Sequence, residues 1–391
     1  TRGNTAIILQ KALNIEISEP VYDGNGTMKT DGTTMLDRLC DKWDIKKIKG
    51  IVTNDGISDL TQEVDISADR ISVDDLSYKA DPKIVQGMLG YAVTCYVEKE
   101  NDGIFSIVSD RKNKTLTIRG EDITEVKAEE ISYAVSEGSR ETIRSVKVAA
   151  DVPTVYNGRY LKDAELNDRK SETGELTLLD NDGDGTYDVV FIREYTNYMS
   201  DGTDGKKIKL RVFSDNGDSR FWGKTYIDTA DDDVVMRLLD KDGGEIALSD
   251  IKKDQILSVY ASKDKKYAEV IPSSETVSGT VERLYSDDKA MIDGKTYRLE
   301  KNAKGHYLAP LKVGDEGRFW LNAEGRVAAM HITRPGYDVE SIDSEMATGY
   351  ILNADGGSGL DDNARIKVLS NTHSGTRREN IFTLSKKVTL E

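Results

Sequence analysis

The sequence Asp-Asn-Asp-Gly-Asp-Gly-Thr-Tyr-Asp, from Asp180 to Asp188, lies between two short apolar segments. The segment before it, residues 176–179, reads Leu-Thr-Leu-Leu, and the segment after it, residues 189–192, reads Val-Val-Phe-Ile. Short apolar runs separated by Asn, Asp and Gly are typical of β-strands joined by a turn. The stretch therefore predicts a β-hairpin whose turn is crowded with carboxylates.

The spacing of these carboxylates predicts a metal site. Neighbouring carboxylates repel one another unless a cation lies among them. The aspartates at 180, 182, 184 and 188, with glycine at the sixth position, match the first part of an EF-hand loop, and Thr186 at the seventh position would contribute its carbonyl. Oxygen ligands in irregular geometry suit Ca²⁺. We therefore predict a structural calcium site with the ligands Asp180, Asp182, Asp184, Thr186 and Asp188.

The turn differs from an EF-hand in two respects. Phe191 occupies the twelfth position, where a bidentate glutamate would stand, and both flanking segments are β-like rather than helical. The pattern resembles instead the calcium loops found between β-strands in many extracellular repeat proteins. A solvated acidic turn without a metal is the alternative interpretation, because Asn, Asp and Gly are also the ordinary turn residues.

Length and charge restrict the classes of protein. A chain of 391 residues is long enough for about three domains. The net charge of −16 disfavours nucleic acids and anionic membranes as partners, since both are negatively charged. No run of 18 apolar residues is present, so we expect no transmembrane helix. The chain starts at Thr1 without a methionine, which is compatible with a leader peptide that has been removed.

The two cysteines, Cys40 and Cys95, are too few for a disulfide framework. Their scarcity fits a cytosolic protein and equally fits a surface protein of a Gram-positive bacterium. Composition does not separate these two locations.

Short strands divided by Asn-Gly or Asp-Gly turns recur along the chain. In residues 291–299, for example, Asp293 and Gly294 form a two-residue hairpin turn between alternating segments. The pattern predicts a mainly β fold, with several small β-barrel or sandwich modules in tandem after a short α-helical N-terminal segment. The predicted divisions are a helix at 1–19, a helical linker at 20–49, and β-modules at 50–160, 161–275, 276–343 and 344–391.

The N-terminal segment carries a family resemblance. Residues 1–17 predict a helix, with Thr1 as its N-cap and Leu9 and Leu13 on an apolar stripe. The sequence Thr-Arg-Gly-Asn followed by Ile-Ile-Leu-Gln-Lys-Ala-Leu resembles the closing helix of an S-layer homology repeat. That repeat typically ends in Thr-Arg-Ala-Glu and an aliphatic helix finishing in Ala-Leu, so Gly3 and Asn4 depart from the pattern. The resemblance covers about a dozen residues.

The resemblance implies S-layer homology repeats upstream that bind pyruvylated secondary cell-wall polymer, with Thr1 and Arg2 in the polymer-binding motif. It implies a secreted, extracellular protein of the cell wall or S-layer. The modular β-region is then expected to associate with copies of itself into a layer or filament. Calcium would suit such assembly, because it removes repulsion between acidic surfaces.

No catalytic motif accompanies these features. Gly-Lys-Thr occurs at 223–225 and 294–296, but Asp218 and Lys289 stand where a phosphate-binding loop needs glycine. The three histidines, at 306, 331 and 373, are isolated in sequence, and we expect His331 to be a partly buried strand residue rather than a ligand. The sequence therefore predicts a structural protein and not an enzyme.

Two other functions remain open at this point. A surface adhesin or carbohydrate-binding module would need exposed aromatic residues, and the candidates are Tyr195, Tyr198, Phe221, Trp222 and Trp320. The same residues also suit core packing. The chain could alternatively be an accessory region of a larger extracellular hydrolase whose catalytic domain lies elsewhere.

Overall fold

The computed structural model describes most of the chain. The described residues are 2–20, 28–61, 69–74, 76–85, 87–137, 140–162, 164, 171, 173–211, 220–286, 288–300, 311–336, 349–355, 365–371 and 377–383. These residues are mainly in β-strands, which confirms the predicted fold class. The chain divides into two compact units: the first comprises Thr1–Tyr195 and Tyr260–Ala268, the second Thr196–Val259 and Glu269–Glu391.

The N-terminal region begins with helix α1, Arg2–Leu13. Strand β1, Glu16–Pro20, follows and pairs antiparallel with β2, Met28–Thr34, so the helix ends before the predicted Ile17. The side chains of Ile8 and Leu9, on the predicted apolar stripe, are 66% and 57% exposed. Thr1 and the side chain of Arg2, the residues placed in a polymer-binding motif, lie outside the described part of the chain.

Helix α2, Met35–Lys42, follows β2 directly. Thr34 caps it, because its hydroxyl accepts a hydrogen bond from the Asp37 backbone N–H while the Asp37 carboxylate accepts one from the Thr34 backbone N–H. This reciprocal capping box satisfies two of the otherwise unpaired donors at the helix start. The predicted helical linker at 20–49 is therefore only partly right, because α2 lies between strand β2 and the strand that begins at Ile45.

The remaining strands of the first unit form three sheets. Their bounds are β3 Ile45–Asn54, β4 Arg70–Val73, β5 Leu76–Lys79, β6 Ala92–Glu98, β7 Ile104–Ser109, β8 Lys114–Arg119, β9 Ile123–Val126, β10 Glu130–Glu137, β11 Arg140–Val148, β12 Thr154–Tyr156, β13 Arg159–Tyr160, β14 Glu175–Asp180, β15 Thr186–Tyr187 and β16 Val189–Arg193. The sheet orders are β5-β4-β3-β6-β7, β13-β12-β16-β14-β8 and β15-β11-β10-β9. Short helices occur at Pro82–Val85 (α3) and Gly120–Asp122.

The first of these sheets has its own core. Every second residue of β6 is buried, as the period of two in its sequence predicts. Val52, Ile71, Val93 and Cys95 belong to this core. Burial raises the pKa of the Cys95 thiol to about 11, so the thiol stays protonated and unreactive at neutral pH.

The other two sheets enclose a common core. Ile118 on β8 and Leu176 on β14 pack with Ile131 on β10 and Val148 on β11. Strand β14 pairs antiparallel with both β8 and β16, and β12 pairs parallel with β16. A domain boundary was predicted after residue 160. Strands β8 and β12 precede that boundary, yet they pair with β14 and β16, which follow it.

The second unit is built from further antiparallel strands. Their bounds are β17 Thr196–Asp204, β18 Lys207–Leu210, β19 Tyr226–Asp228, β20 Val235–Leu238, β21 Ile256–Ala261, β22 Tyr267–Ser273, β23 Thr276–Ser286, β24 Lys289–Ile292, β25 Lys295–Arg298, β26 Glu316–Leu321, β27 Val327–Arg334, β28 Gly349–Asp355, β29 Arg365–Asn371 and β30 Arg377–Thr383. The sheet orders are β19-β18-β17-β21-β22-β20, β25-β24-β23-β26-β27 and β28-β29-β30. Residues 260–268, at the outer end of the β21–β22 hairpin, belong to the first unit.

Candidate metal centre

The acidic stretch forms the turn of a hairpin, as its sequence predicts. Strands β14 and β16 pair with Leu179 opposite Val189 and Leu178 opposite Val190, and all four side chains are buried. The two pairs face opposite sides of the hairpin, because Leu178 and Val190 lie in the core shared with β10 and β11 whereas Leu179 and Val189 lie in a cluster with Leu89. The intervening turn uses Gly183 and Gly185 at φ angles of 83° and 93°, where a side chain would be strained.

Backbone N–H groups of the turn point toward its carboxylates. Asp180 is 1% exposed, and its two oxygens accept hydrogen bonds from the N–H groups of Gly183 at 2.6 Å and Gly185 at 3.1 Å. Asp188 accepts one from the Asn181 N–H at 2.8 Å. Asp182 accepts one from the Asp184 N–H at 2.9 Å. These bonds hold the carboxylates in place and leave lone pairs on their oxygens for a cation.

Three of the four aspartates converge. Asp180, Asp182 and Asp188 each offer one carboxylate oxygen, and these three oxygens lie within 4.8 Å of one another. Two oxygens on opposite sides of a calcium ion, each at about 2.3–2.6 Å, would be about 5 Å apart, so the spacing fits a single ion. The cluster could therefore hold a metal ion. Within the described ranges it is the one group of three or more acidic, histidine or cysteine side chains with this proximity.

The other two predicted ligands have different positions. Asp184 lies outside the group of three, and its Oδ1 accepts a hydrogen bond from the Thr186 N–H at 2.6 Å. Thr186 begins the short strand β15. A ligand role for the Thr186 carbonyl stays a prediction.

The turn carries uncompensated negative charge. Burial raises the pKa of Asp188, and the charges of Asp182, Asp180 and Asp184 raise it further, while the hydrogen bond from the Asn181 N–H lowers it. A carboxylate whose ionised form is disfavoured by like charges gains from a nearby cation. The electrostatics of the turn therefore favour cation binding.

Sequence reasoning missed Lys114, the nearest basic neighbour. Lys114 lies opposite Asp180 in the β8–β14 pair. Its Nζ is 3.9 Å from Asp180 Oδ2 and 3.4 Å from the carbonyl oxygen of Gly183. No local pattern could reveal this proximity, because the pairing of distant strands creates it.

Sequence reasoning also missed the role of Asn181, which ties the turn to the first sheet. Its Nδ2 donates a buried hydrogen bond of 2.9 Å to the carbonyl oxygen of Gly90. Gly90 has a φ of 80°, and a Cβ there would lie 2.9 Å from Val189 Cγ2. Leu89, Leu179 and Val189 share a small buried cluster beside this contact. The turn is thus part of the packing between the β14–β16 hairpin and the segment just before β6.

The aromatic residues considered for sugar binding are mostly buried. Tyr195, Tyr198, Phe221 and Trp320 are between 3% and 9% exposed. Only Trp222 of the five is partly exposed, and its ring stacks on Phe221 with a centroid distance of 4.1 Å. The four buried residues therefore serve core packing, as the alternative interpretation held.

The histidines add no site. His331 lies on β27 as predicted, but its side chain is exposed rather than partly buried, while its neighbours Met330 and Ile332 pack against the core. His306 and His373 lie outside the described residues.

In the described part of the chain, no helix combines the length and the apolar character needed to cross a membrane. No protein-family model matches the chain, and comparison with curated proteins and with solved structures finds no significant similarity.

Proposed function

We propose that this chain is a non-enzymatic structural protein of a bacterial cell surface whose acidic hairpin turn binds calcium. The observation that carries the proposal is the convergence of Asp180, Asp182 and Asp188 in a turn that is short of positive charge. All of these ligands are carboxylate oxygens, which favour a hard cation such as Ca²⁺ over Zn²⁺. Ca²⁺ also accepts the irregular geometry of a turn more readily than Mg²⁺ does.

The ion would be structural rather than catalytic. Asp180 is buried and engaged by two backbone N–H groups, and Asn181 anchors the turn to Gly90. A catalytic metal normally keeps an open position beside a general base. Among the described residues, the neighbours of the turn are packed strands and the lysines at 112 and 114, and none of them is a general base beside an open ligand position. Calcium would therefore stiffen the hairpin and its packing against the first sheet.

The surface location and assembly rest on sequence features. The S-layer homology resemblance of residues 1–13 favours anchoring to secondary cell-wall polymer through upstream repeats, with Thr1 and Arg2 in the binding motif. The succession of separate β-sheets and the net charge of −16 suit a protein that associates with its own copies when calcium reduces repulsion. The product would be an extracellular layer or filament.

Calorimetry of the purified chain tests the metal site. Calcium at about 100 times its dissociation constant should stabilise the folded protein by about 2.7 kcal/mol relative to EGTA. Asp182→Ala should abolish this difference, because it removes one of the three converging ligands. Asp242→Ala, in the exposed turn of residues 240–244, is the matched control and should retain it. A wild-type protein with the same melting temperature in calcium and EGTA would refute the calcium site.

Electron microscopy of the purified chain tests assembly. We expect ordered layers or filaments in calcium and dispersed particles in EGTA. Dispersed particles under both conditions would contradict self-assembly by this segment. Reproducible hydrolysis of peptidoglycan fragments or β-glucans would contradict the non-enzymatic assignment.

A further inference from the structure

Lys114 brings a positive charge to the proposed calcium site from a different strand. Its ammonium lies 3.9 Å from Asp180 Oδ2 and 3.4 Å from the carbonyl oxygen of Gly183. The two side chains differ in environment: that of Lys114 is 63% exposed, whereas that of Asp180 is 2% exposed. The lysine thus reaches the buried carboxylate from the solvent side, on a flexible stem that can withdraw into water.

The position of Lys114 is set by the fold. The β8–β14 pairing continues in register from Glu175 opposite Arg119 to Asp180 opposite Lys114. Leu176 and Leu178 on β14 are buried, so this register cannot slip without exposing them. The backbone of Lys114 is therefore held beside the turn whether or not a metal is bound, while its side chain remains free to change conformation.

We propose that Lys114 is a tethered competitor of calcium that sets the concentration at which the turn fills; this inference rests on the proposed function, since it requires the turn to bind calcium. The ammonium neutralises Asp180 when no divalent ion is bound. A divalent ion that takes an oxygen of Asp180 brings a second positive charge within a few ångströms of Nζ. The two cations repel each other, so the lysine must move outward as calcium binds.

Competition predicts opposite effects of removing the ammonium on calcium affinity and on metal-free stability. Removing the ammonium should tighten calcium binding, because the repulsion is gone. It should also lower the melting temperature in EGTA, because the charge of Asp180 loses its neutralising partner. A lysine with a merely structural role would lower stability in both conditions and would leave calcium affinity unchanged or weakened. Affinity and metal-free stability together therefore separate the two roles.

Calcium titration of the full chain, by isothermal calorimetry, tests the proposal with three variants. Lys114→Gln should bind calcium about tenfold more tightly than wild type, since two charges about 4 Å apart near a protein surface interact by one or more kcal/mol. Lys114→Arg keeps the charge and should stay within about threefold of wild type. Lys46→Gln is the matched control, because it removes the same charge from an exposed position of β3 opposite Val97, at the end of β6 away from Gly90, and should change the affinity less than about twofold.

The outcomes separate this inference from the proposed function. The competition is supported if Lys114→Gln is the one variant that binds calcium more tightly and if the same variant has a lower melting temperature than wild type in EGTA. If the wild-type chain binds calcium but Lys114→Gln changes the affinity less than about twofold, or if Lys46→Gln gives the same gain, the role of Lys114 is overturned and the calcium site remains. Absence of calcium binding by the wild-type chain overturns both.

Discussion

Two hairpin turns of the first unit, one with four aspartates and one with the single aspartate Asp264, place a carboxylate in opposite electrostatic situations. At the β14–β16 turn, burial and the neighbouring aspartates raise the pKa of Asp188. At the β21–β22 turn, burial alone would raise the pKa of Asp264, but hydrogen bonds from Ser262, Lys266 and Arg159 outweigh it and the pKa is lowered. In the first turn one exposed lysine only partly offsets four aspartates, whereas the single aspartate of the second turn already has a cationic partner.

The difference arises from which cation the fold supplies. Arg159 on β13 donates from its Nε to Asp264 Oδ2 at 2.9 Å, and its Nη1 donates to the carbonyl oxygen of Ile57. The Arg159 side chain is only 20% exposed, so it is held as part of the structure. Lys114 is exposed and contacts its turn less closely. The carboxylate beside a fixed arginine needs no further cation. The carboxylate beside a mobile lysine can exchange the ammonium for a soluble ion.

The largest effect is expected from breaking the fixed pair. Arg159→Met should lower the free energy of unfolding by about 2–4 kcal/mol, chiefly because the part-buried Ile57 carbonyl loses this donor, with a smaller loss from Asp264, which is partly exposed and keeps its hydrogen bonds from Ser262 and Lys266. Urea unfolding with and without calcium measures this. Calcium should not restore the loss, since the ion binds at the other turn. If Arg159→Met lowers the free energy of unfolding by less than about 1 kcal/mol, or if calcium restores the loss, the two turns do not differ in the way described.

A smaller effect is expected from loosening the packing of the calcium turn. Gly90→Ala combines an unfavourable φ of 80° with a Cβ placed 2.9 Å from Val189 Cγ2. We expect a loss of about 2–3 kcal/mol and weaker calcium binding, because Val189 begins the strand that follows the turn.

Gly87→Ala is the matched control for this change. Gly87 has a φ of 75°, but a Cβ there meets nothing within 4 Å, so only the backbone strain of about 1 kcal/mol remains. Thermal unfolding and calcium titration of both variants measure the difference. Equal losses of stability with unchanged calcium affinity would show that the turn does not depend on its contact with Gly90.

The smallest effect concerns pH at the satisfied turn. The lowered pKa of Asp264 means that its contribution to stability is present above the unfolded-state pKa near 3.8 and is lost as the pH falls through the lower folded-state value. The side chain is 37% exposed, so solvent screening limits the contribution to about 0.5–1 kcal/mol.

Asp264→Asn tests this sign. In EGTA, the variant should lose less stability than wild type when the pH is lowered from 7 to below 3.8, as measured by urea unfolding. The same measurement on Asp242→Asn, an exposed aspartate, controls for the loss of one negative charge. If wild type and Asp264→Asn lose equal stability on acidification, Asp264 is not held in its ionised form by Arg159.

The sequence by itself determined what depends on local residue order. The apolar runs at 176–179 and 189–192 and the Asp-Gly turn between them predicted the hairpin, because strand period and turn chemistry are properties of neighbouring residues. The mainly β fold class followed from the recurrence of the same pattern. The capped helix α2 was likewise visible as an apolar segment beginning after Thr34.

Only the tertiary structure decided the surroundings of the turn. Asp182 and Asp184 have equal claims as ligands from their spacing, yet only Asp182 converges with Asp180 and Asp188. Lys114 meets Asp180 through strand register, and Asn181 meets Gly90 through the packing of separate sheets. The exposure of Ile8 and Leu9 on the N-terminal helix was likewise not decided by the sequence, because periodicity states which residues share a face and not what covers it. Contacts between distant segments depend on how whole strands pair and pack, and no local pattern encodes that.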